Sequence, residues 1–145
     1  MKALLASVAL VSLMVGCGGK YVDDRRSFGW AFGAKCPTNI QVVHSLWLQS
    51  PHFTDEHRFY FQLAVEPGTA LPGWLRQEPT IVECKDGLKG IPMTHGLPEY
   101  DVPTWFAPAV STNYQVWYST NVFTPFVVAQ QRQRGQIFVY GSCGM

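Results

Sequence analysis

The chain has 145 residues, with eleven Lys and Arg against ten Asp and Glu. That length gives one domain with a real core. The near-neutral balance excludes the basic face that nucleic acid binding needs, and docking to anionic lipid head groups by charge alone. Five Trp, six Tyr and nine Phe lie among thirteen Gly and ten Pro, a mixture that favours β-structure with frequent turns over a helix bundle.

The chain opens with Met1-Lys2, one positive charge, followed by an uncharged apolar run from Ala3 to Val15 and then Gly16-Cys17-Gly18-Gly19. A basic start, an apolar stretch and a small residue before the cut describe a secretory signal. The run is shorter than the roughly 20 apolar residues that cross a bilayer. The stretch Leu13-Met14-Val15-Gly16-Cys17 resembles the lipobox of bacterial lipoproteins. Gly16 fits the position before the cut; Met14 stands where Leu, Val or Ile is commoner. The resemblance implies a diacylglycerol on the Cys17 thiol, cleavage just before it, and usually acylation of the new amine. Two or three acyl chains, at about 0.8 kcal/mol per buried methylene, anchor stably where one does not. Gly18, rather than an aspartate, after the acylated cysteine implies the outer membrane facing the periplasm over the inner membrane. Residues 1–16 are then a cleaved signal peptide. Residues 17–35 are the lipidated cysteine and a tether, and residues 36–145 a single β-rich domain. The cleaved chain keeps ten basic and ten acidic side chains, because Lys2 is the one charge lost.

Within the tether, Asp23-Asp24-Arg25-Arg26 leads into Phe28-Gly29-Trp30-Ala31-Phe32. These aromatics are expected to join the domain as a first edge element; the rival is that they rest in the membrane interface. Residues 39–48 read as a strand with Ile40, Val42, Leu46 and Leu48 on one face and Val43 and Trp47 on the other. The clearest strand is 57–66, where Phe59, Phe61, Leu63 and Val65 alternate with Arg58, Tyr60, Gln62 and Ala64. Period-two alternation predicts a half-buried strand. Pro67-Gly68 ends it. Thr80–Cys84 is a short strand before the Asp86-Gly87 turn. Residues 85–113 hold four proline-bearing steps, from Ile91-Pro92 to Ala107-Pro108, which exclude long helix and central strand. A long ordered loop is expected there, with an edge strand near Trp105-Phe106.

Tyr114–Tyr118, Pro125–Ala129 and Gln136–Tyr140 are strand-like runs. The polar stretch Gln130–Gly135 makes the last two a hairpin. It is predicted to be structural core, with Gln131-Arg132-Gln133-Arg134 exposed. Five or six strands predict a mostly β domain: a small antiparallel β-sandwich or a partly closed barrel.

Three cysteines remain beside Cys17, namely Cys36, Cys84 and Cys143. The envelope outside the inner membrane is oxidising, so one disulfide and one leftover thiol are expected. Cys36–Cys143 is favoured because it brackets the strands. It would stabilise by about 4 to 5 kcal/mol in the chain-entropy model. The rivals are Cys36–Cys84 and Cys84–Cys143.

No motif for nucleophilic catalysis, phosphate binding or dithiol redox chemistry occurs. His52 and His57 flank Asp55-Glu56, but a spacing of five across a turn suits a polar loop better than a metal site. No catalytic residue, metal or cofactor is assigned. Trp105, Tyr114 and Trp117 are candidate binding aromatics that could stack on sugar rings or grip a protein; a place in the core is the simpler expectation. The main expectation is an envelope lipoprotein acting as a non-enzymatic binding or assembly module. It would be held to the membrane through Cys17 beside an envelope protein partner. A second reading is a small lipoprotein blocker, such as the β-barrel family that plugs lysozymes. That family carries a Ser-Gly-x-x-Tyr stretch that is not found here; Ser111-Thr112-Asn113-Tyr114, one residue shorter and without the glycine, is only a poor echo. Lysozyme pull-down separates the two. A hydrolase whose site is assembled from distant residues is the third.

Overall fold

The computed structural model describes residues 18–51, 56–73, 81–90, 102–106, 108, 114–120 and 125–143, with Cys143 by its backbone alone. Seven strands lie among them: β1 (Gly19–Val22), β2 (Gln41–Gln49), β3 (His57–Ala64), β4 (Ile81–Cys84), β5 (Gln115–Ser119), β6 (Phe126–Gln131) and β7 (Gln136–Cys143). One short helix, α1 (Ser27–Phe32), follows β1. The strands form a single sheet in the order β1-β2-β3-β7-β6-β5-β4, and every neighbouring pair is antiparallel. The mostly β, antiparallel expectation holds. The sheet does not close into a barrel, because β1 and β4 are its two edges. Apolar layers cover both of its faces, which makes the body sandwich-like.

On one face Trp47, Phe59, Phe61, Leu63, Phe126, Val128, Ile137 and Val139 form a cluster with Phe28 of α1, Ile40 and Leu71. On the other, Leu46, Tyr60, Val116, Val127, Ala129, Phe138 and Tyr140 pack with Phe106. Each such side chain contributes about 1.5 to 3 kcal/mol when fully buried. The alternation of β3 predicts one wet face, yet Tyr60, Phe61 and Leu63 are all fully buried. β3 lies between β2 and β7, and the loop residues around Phe106 close its second face.

β2 departs from simple alternation. Its register with β3 shifts between Val42 and His44. A bulge of this kind inserts one residue and moves every later side chain to the opposite face. Ile40 and Val42 therefore pack with Trp47, whereas Leu46 and Leu48 pack with Tyr60. The expected grouping of Ile40, Val42, Leu46 and Leu48 on one face is corrected by this extra residue.

Residues 19–35 are built onto the sheet. β1 pairs with β2 from Gly19↔Gln49 to Val22↔Leu46. Asp23 then turns the chain in the left-handed region, at φ 51°, a conformation Asp tolerates better than most residues. Its carboxylate accepts the Ser45 N–H at 2.8 Å, and its own N–H donates to the Ser45 carbonyl at 2.8 Å. α1 ends at Gly33, φ 64°, whose N–H donates to the Gly29 carbonyl, the usual glycine stop. Phe28 and Phe32 lie 5.9 and 5.5 Å from the Phe61 ring centroid. α1 thus covers the centre of the first face.

The edge strand expected at Trp105-Phe106 does not form. The Phe106 N–H donates to the Pro103 carbonyl at 2.9 Å, closing a turn that Pro103 favours. The hairpin β6–β7 is present. A 3-10 turn over Arg132–Arg134 ends at Gly135, φ 61°. Arg132, Gln133 and Arg134 are exposed while Gly135 is buried.

Candidate binding cleft at the open flank of the sheet

Antiparallel pairing of β4, β5 and β6 brings together residues far apart in sequence. Glu83 stands opposite Trp117, and Ile81 opposite Ser119. Trp117 stands opposite Val128, and Gln115 opposite Gln130. Side chains two apart on a strand share a face, so Ile81, Glu83, Gln115, Trp117, Val128 and Gln130 belong to the face covered by α1. Among the described residues, this flank of the face next to β4 is not filled. A cleft of about 410 Å³ remains, lined by Ala70, Leu71, Ile81, Glu83, Gln115, Trp117 and Arg132.

Two contacts fix the far wall of this cleft. Gln130 is fully buried, and its Nε2 donates to the Thr69 carbonyl at 2.8 Å. The Gly68 N–H donates to the Arg132 carbonyl at 2.8 Å, and Arg132 Nη2 returns a hydrogen bond to the Gly68 carbonyl at 3.2 Å. Gly68 and Thr69 are thereby held to β6 and the turn that follows it. The Oε1 of Gln130 accepts no hydrogen bond from any described residue, leaving an acceptor behind Gln115. Buried acceptors of this kind are ordinarily satisfied.

Trp117 is half-buried and packs against the core while lining the cleft. Glu83, Gln115 and Arg132 are exposed around it. The arrangement offers an aromatic plane, a carboxylate, a planar amide and a guanidinium. An aromatic plane can stack on an apolar ring face, and the three polar groups can hydrogen-bond at a ring's edge.

The three candidate aromatics do not converge. Trp105 and Tyr114 lie on the opposite face of the sheet from Trp117. Tyr114 meets Phe138 edge-on at 6.1 Å. Trp105 meets Phe106 at 6.0 Å and stacks on His44 at 5.3 Å. Both brace the second core cluster.

The cysteines divide in the same way. Cys17 lies outside the described residues. Cys36 and Cys84 carry free thiols, so none of the three expected pairings is formed. Cys36 packs with the first face and Cys84 with the second, which puts the sheet between them. The Cys143 backbone pairs with His57 at the end of β7. The Cys36 thiol is 3.5 Å from the Ile40 carbonyl oxygen, and burial raises its pKa above the ordinary thiol value. A protonated thiol is a poor nucleophile.

Of the histidines, His44 lies 3.5 Å from the Asp23 carboxylate and His57 stacks on Trp47 at 4.3 Å. His52 and His95 lie outside the described residues. Comparison with protein-family models, with curated proteins and with solved structures finds no match.

Sequence reasoning missed Glu83, Gln115 and Arg132 as site residues. Parity on each strand was visible, pairing Gln115 with Trp117 and Ile81 with Glu83. The pairing of β4 with β5 was not, because about thirty residues of proline-rich chain separate them and loop length says little about strand order.

Proposed function

We propose that this chain is an envelope lipoprotein, anchored through acyl chains on Cys17, whose folded part is a binding module for a glycan. The observation that supports the ligand class is the cleft. Trp117 gives a stacking plane beside Glu83, Gln115 and Arg132, a mixture suited to a sugar ring's apolar face and hydroxyl edge. The signal segment and the Gly16-Cys17 junction support the anchor.

Two experiments test the reading. Fatty-acid probe labelling in cells is expected on the wild-type chain and not on Cys17→Ser; equal labelling of both refutes the anchor. Titration of the acylated full chain with soluble fragments of envelope glycan is expected to be saturable. Trp117→Ala should weaken it by about 30-fold, the equivalent of a 2 kcal/mol binding hot spot. Binding unchanged by that substitution refutes the site.

A further inference from the structure

The end of the sheet that carries the anchor is fixed by register. β1 begins at Gly19, two residues after Cys17. Gly18 is already seated on the turn after β2, because a side chain there would run into Pro51 at 2.6 Å from its Cα. The chain between Cys17 and Gly19 spans at most about 7 Å. No slack exists from which to hang the domain away from its acyl chains.

The antiparallel ladders place Gly19, Gln49, His57 and Cys143 in one row across four strands. This is one end of the sheet. Gln41, Ala64 and Gln136 form the opposite end, joined by Gln131 on β6. Arg132 and Gln115 of the cleft lie towards that second end, as does Lys85 after β4, whereas Glu83 and Trp117 stand in the middle row with Val128 and Val139. β3 and β7 are eight residues long, so the ends are about 25 Å apart at the usual rise per residue.

Around the first end, Gly18, Lys20, Pro51, Glu56 and Arg58 border a hollow of about 540 Å³. Lys20 is exposed, and its long stem lets the ammonium reach a head-group phosphate while the methylenes stay near apolar surface. Glu56 offsets one of the two cations, Lys20 and Arg58, among the described residues that border the hollow.

We infer that this end of the sheet, from Gly18 and Lys20 to Pro51 and Arg58, rests on the phospholipid head groups. Trp117, in the row of Val128, Val139 and Phe61, then stands about 14 Å along the sheet from that end. The contact is imposed by the two-residue link rather than by charge attraction. The inference depends on acylation of Cys17.

The test uses acylated full chain in phosphatidylcholine vesicles, treated with a water-soluble amine reagent and mapped by peptide mass. The comparison is a variant with a Gly-Ser spacer of about ten residues between Cys17 and Gly18, long enough to add about 17 Å of reach. Lys20 is expected to react several-fold more slowly in the wild type than in the spacer variant. Lys85, exposed and remote from that end, should react at one rate in both, and an unchanged thermal unfolding transition reports that the variant is folded. Equal Lys20 rates in the two proteins overturn the inference. An unacylated amino-terminal peptide, or protein that fails to float with the vesicles, overturns the anchor itself and is seen separately in the same experiment.

Discussion

β7 and β5 are written in much the same way. Gln136-Ile137-Phe138-Val139-Tyr140 and Gln115-Val116-Trp117-Tyr118 each open on glutamine and continue with branched and aromatic residues. Their fates differ. Ile137, Phe138, Val139 and Tyr140 are all buried, whereas Trp117 and Tyr118 are half-buried and Gln115 is exposed. β7 lies between β3 and β6, while β5 lies beside the edge strand β4. Burial follows position in the sheet. The same alternation builds core in one place and an accessible aromatic site in the other.

The comparison breaks most visibly at Phe138. Its ring meets Phe106 at 5.6 Å and Tyr114 at 6.1 Å, so Phe138→Ala should cost about 3 to 5 kcal/mol of unfolding free energy. Denaturant titration checks this. An unchanged midpoint would mean that β7 is no more committed to core than β5.

Gly135 is next. It sits at φ 61°, and a side chain there would overlap the Val65 carbonyl oxygen. Its own carbonyl accepts the Val65 N–H at 2.8 Å. Gly135→Ala should cost about 2 kcal/mol or more, from the left-handed backbone and the displaced contact together. Thermal unfolding reads the loss.

On the open flank the effects should separate. Trp117→Ala is expected to cost only about 1 kcal/mol of stability while removing most glycan affinity. Unfolding by that substitution would place Trp117 with the core instead. Arg132→Ala should cost under about 0.5 kcal/mol, as surface changes usually do, yet weaken binding measurably, since the side chain lines the cleft.

The smallest effect concerns acid stability near α1. Arg26, through its side chain and its backbone N–H, holds the Asp24 carboxyl down to about 2. A depressed folded-state pKa gives stability that is present above the ordinary carboxylate range and lost as pH falls towards about 2. Asp24→Asn should flatten that part of the stability profile and leave neutral pH nearly unchanged. A wild-type profile already flat there would remove the pair from the account.

The elements themselves were legible. The run Phe59, Phe61, Leu63 announced β3, and the polar stretch ending in Gly135 announced the β6–β7 hairpin. Both signals are local, a period of two and a turn residue. The face assignments on β2 were not legible, since no residue between Val42 and His44 marks a bulge. The cleft was legible only as a single tryptophan. Glu83 and Arg132 carry no sequence signal for a shared site, because opposing strands are matched by backbone ladders that any side chain can join.

By itself the sequence determined the mostly β character, the positions of the strong strands and the exposed tip of the last hairpin. Each of these depends on residues close together, through periodicity or turn chemistry. Only the tertiary structure decided which strands are central, that β3 is buried on both faces, that Cys36 and Cys84 are kept apart by the sheet, and that Trp117 alone of the three candidate aromatics lines the cleft. Those facts depend on strand order and on what covers each face. Both are set by the summed burial of distant segments, which no local stretch of chain encodes.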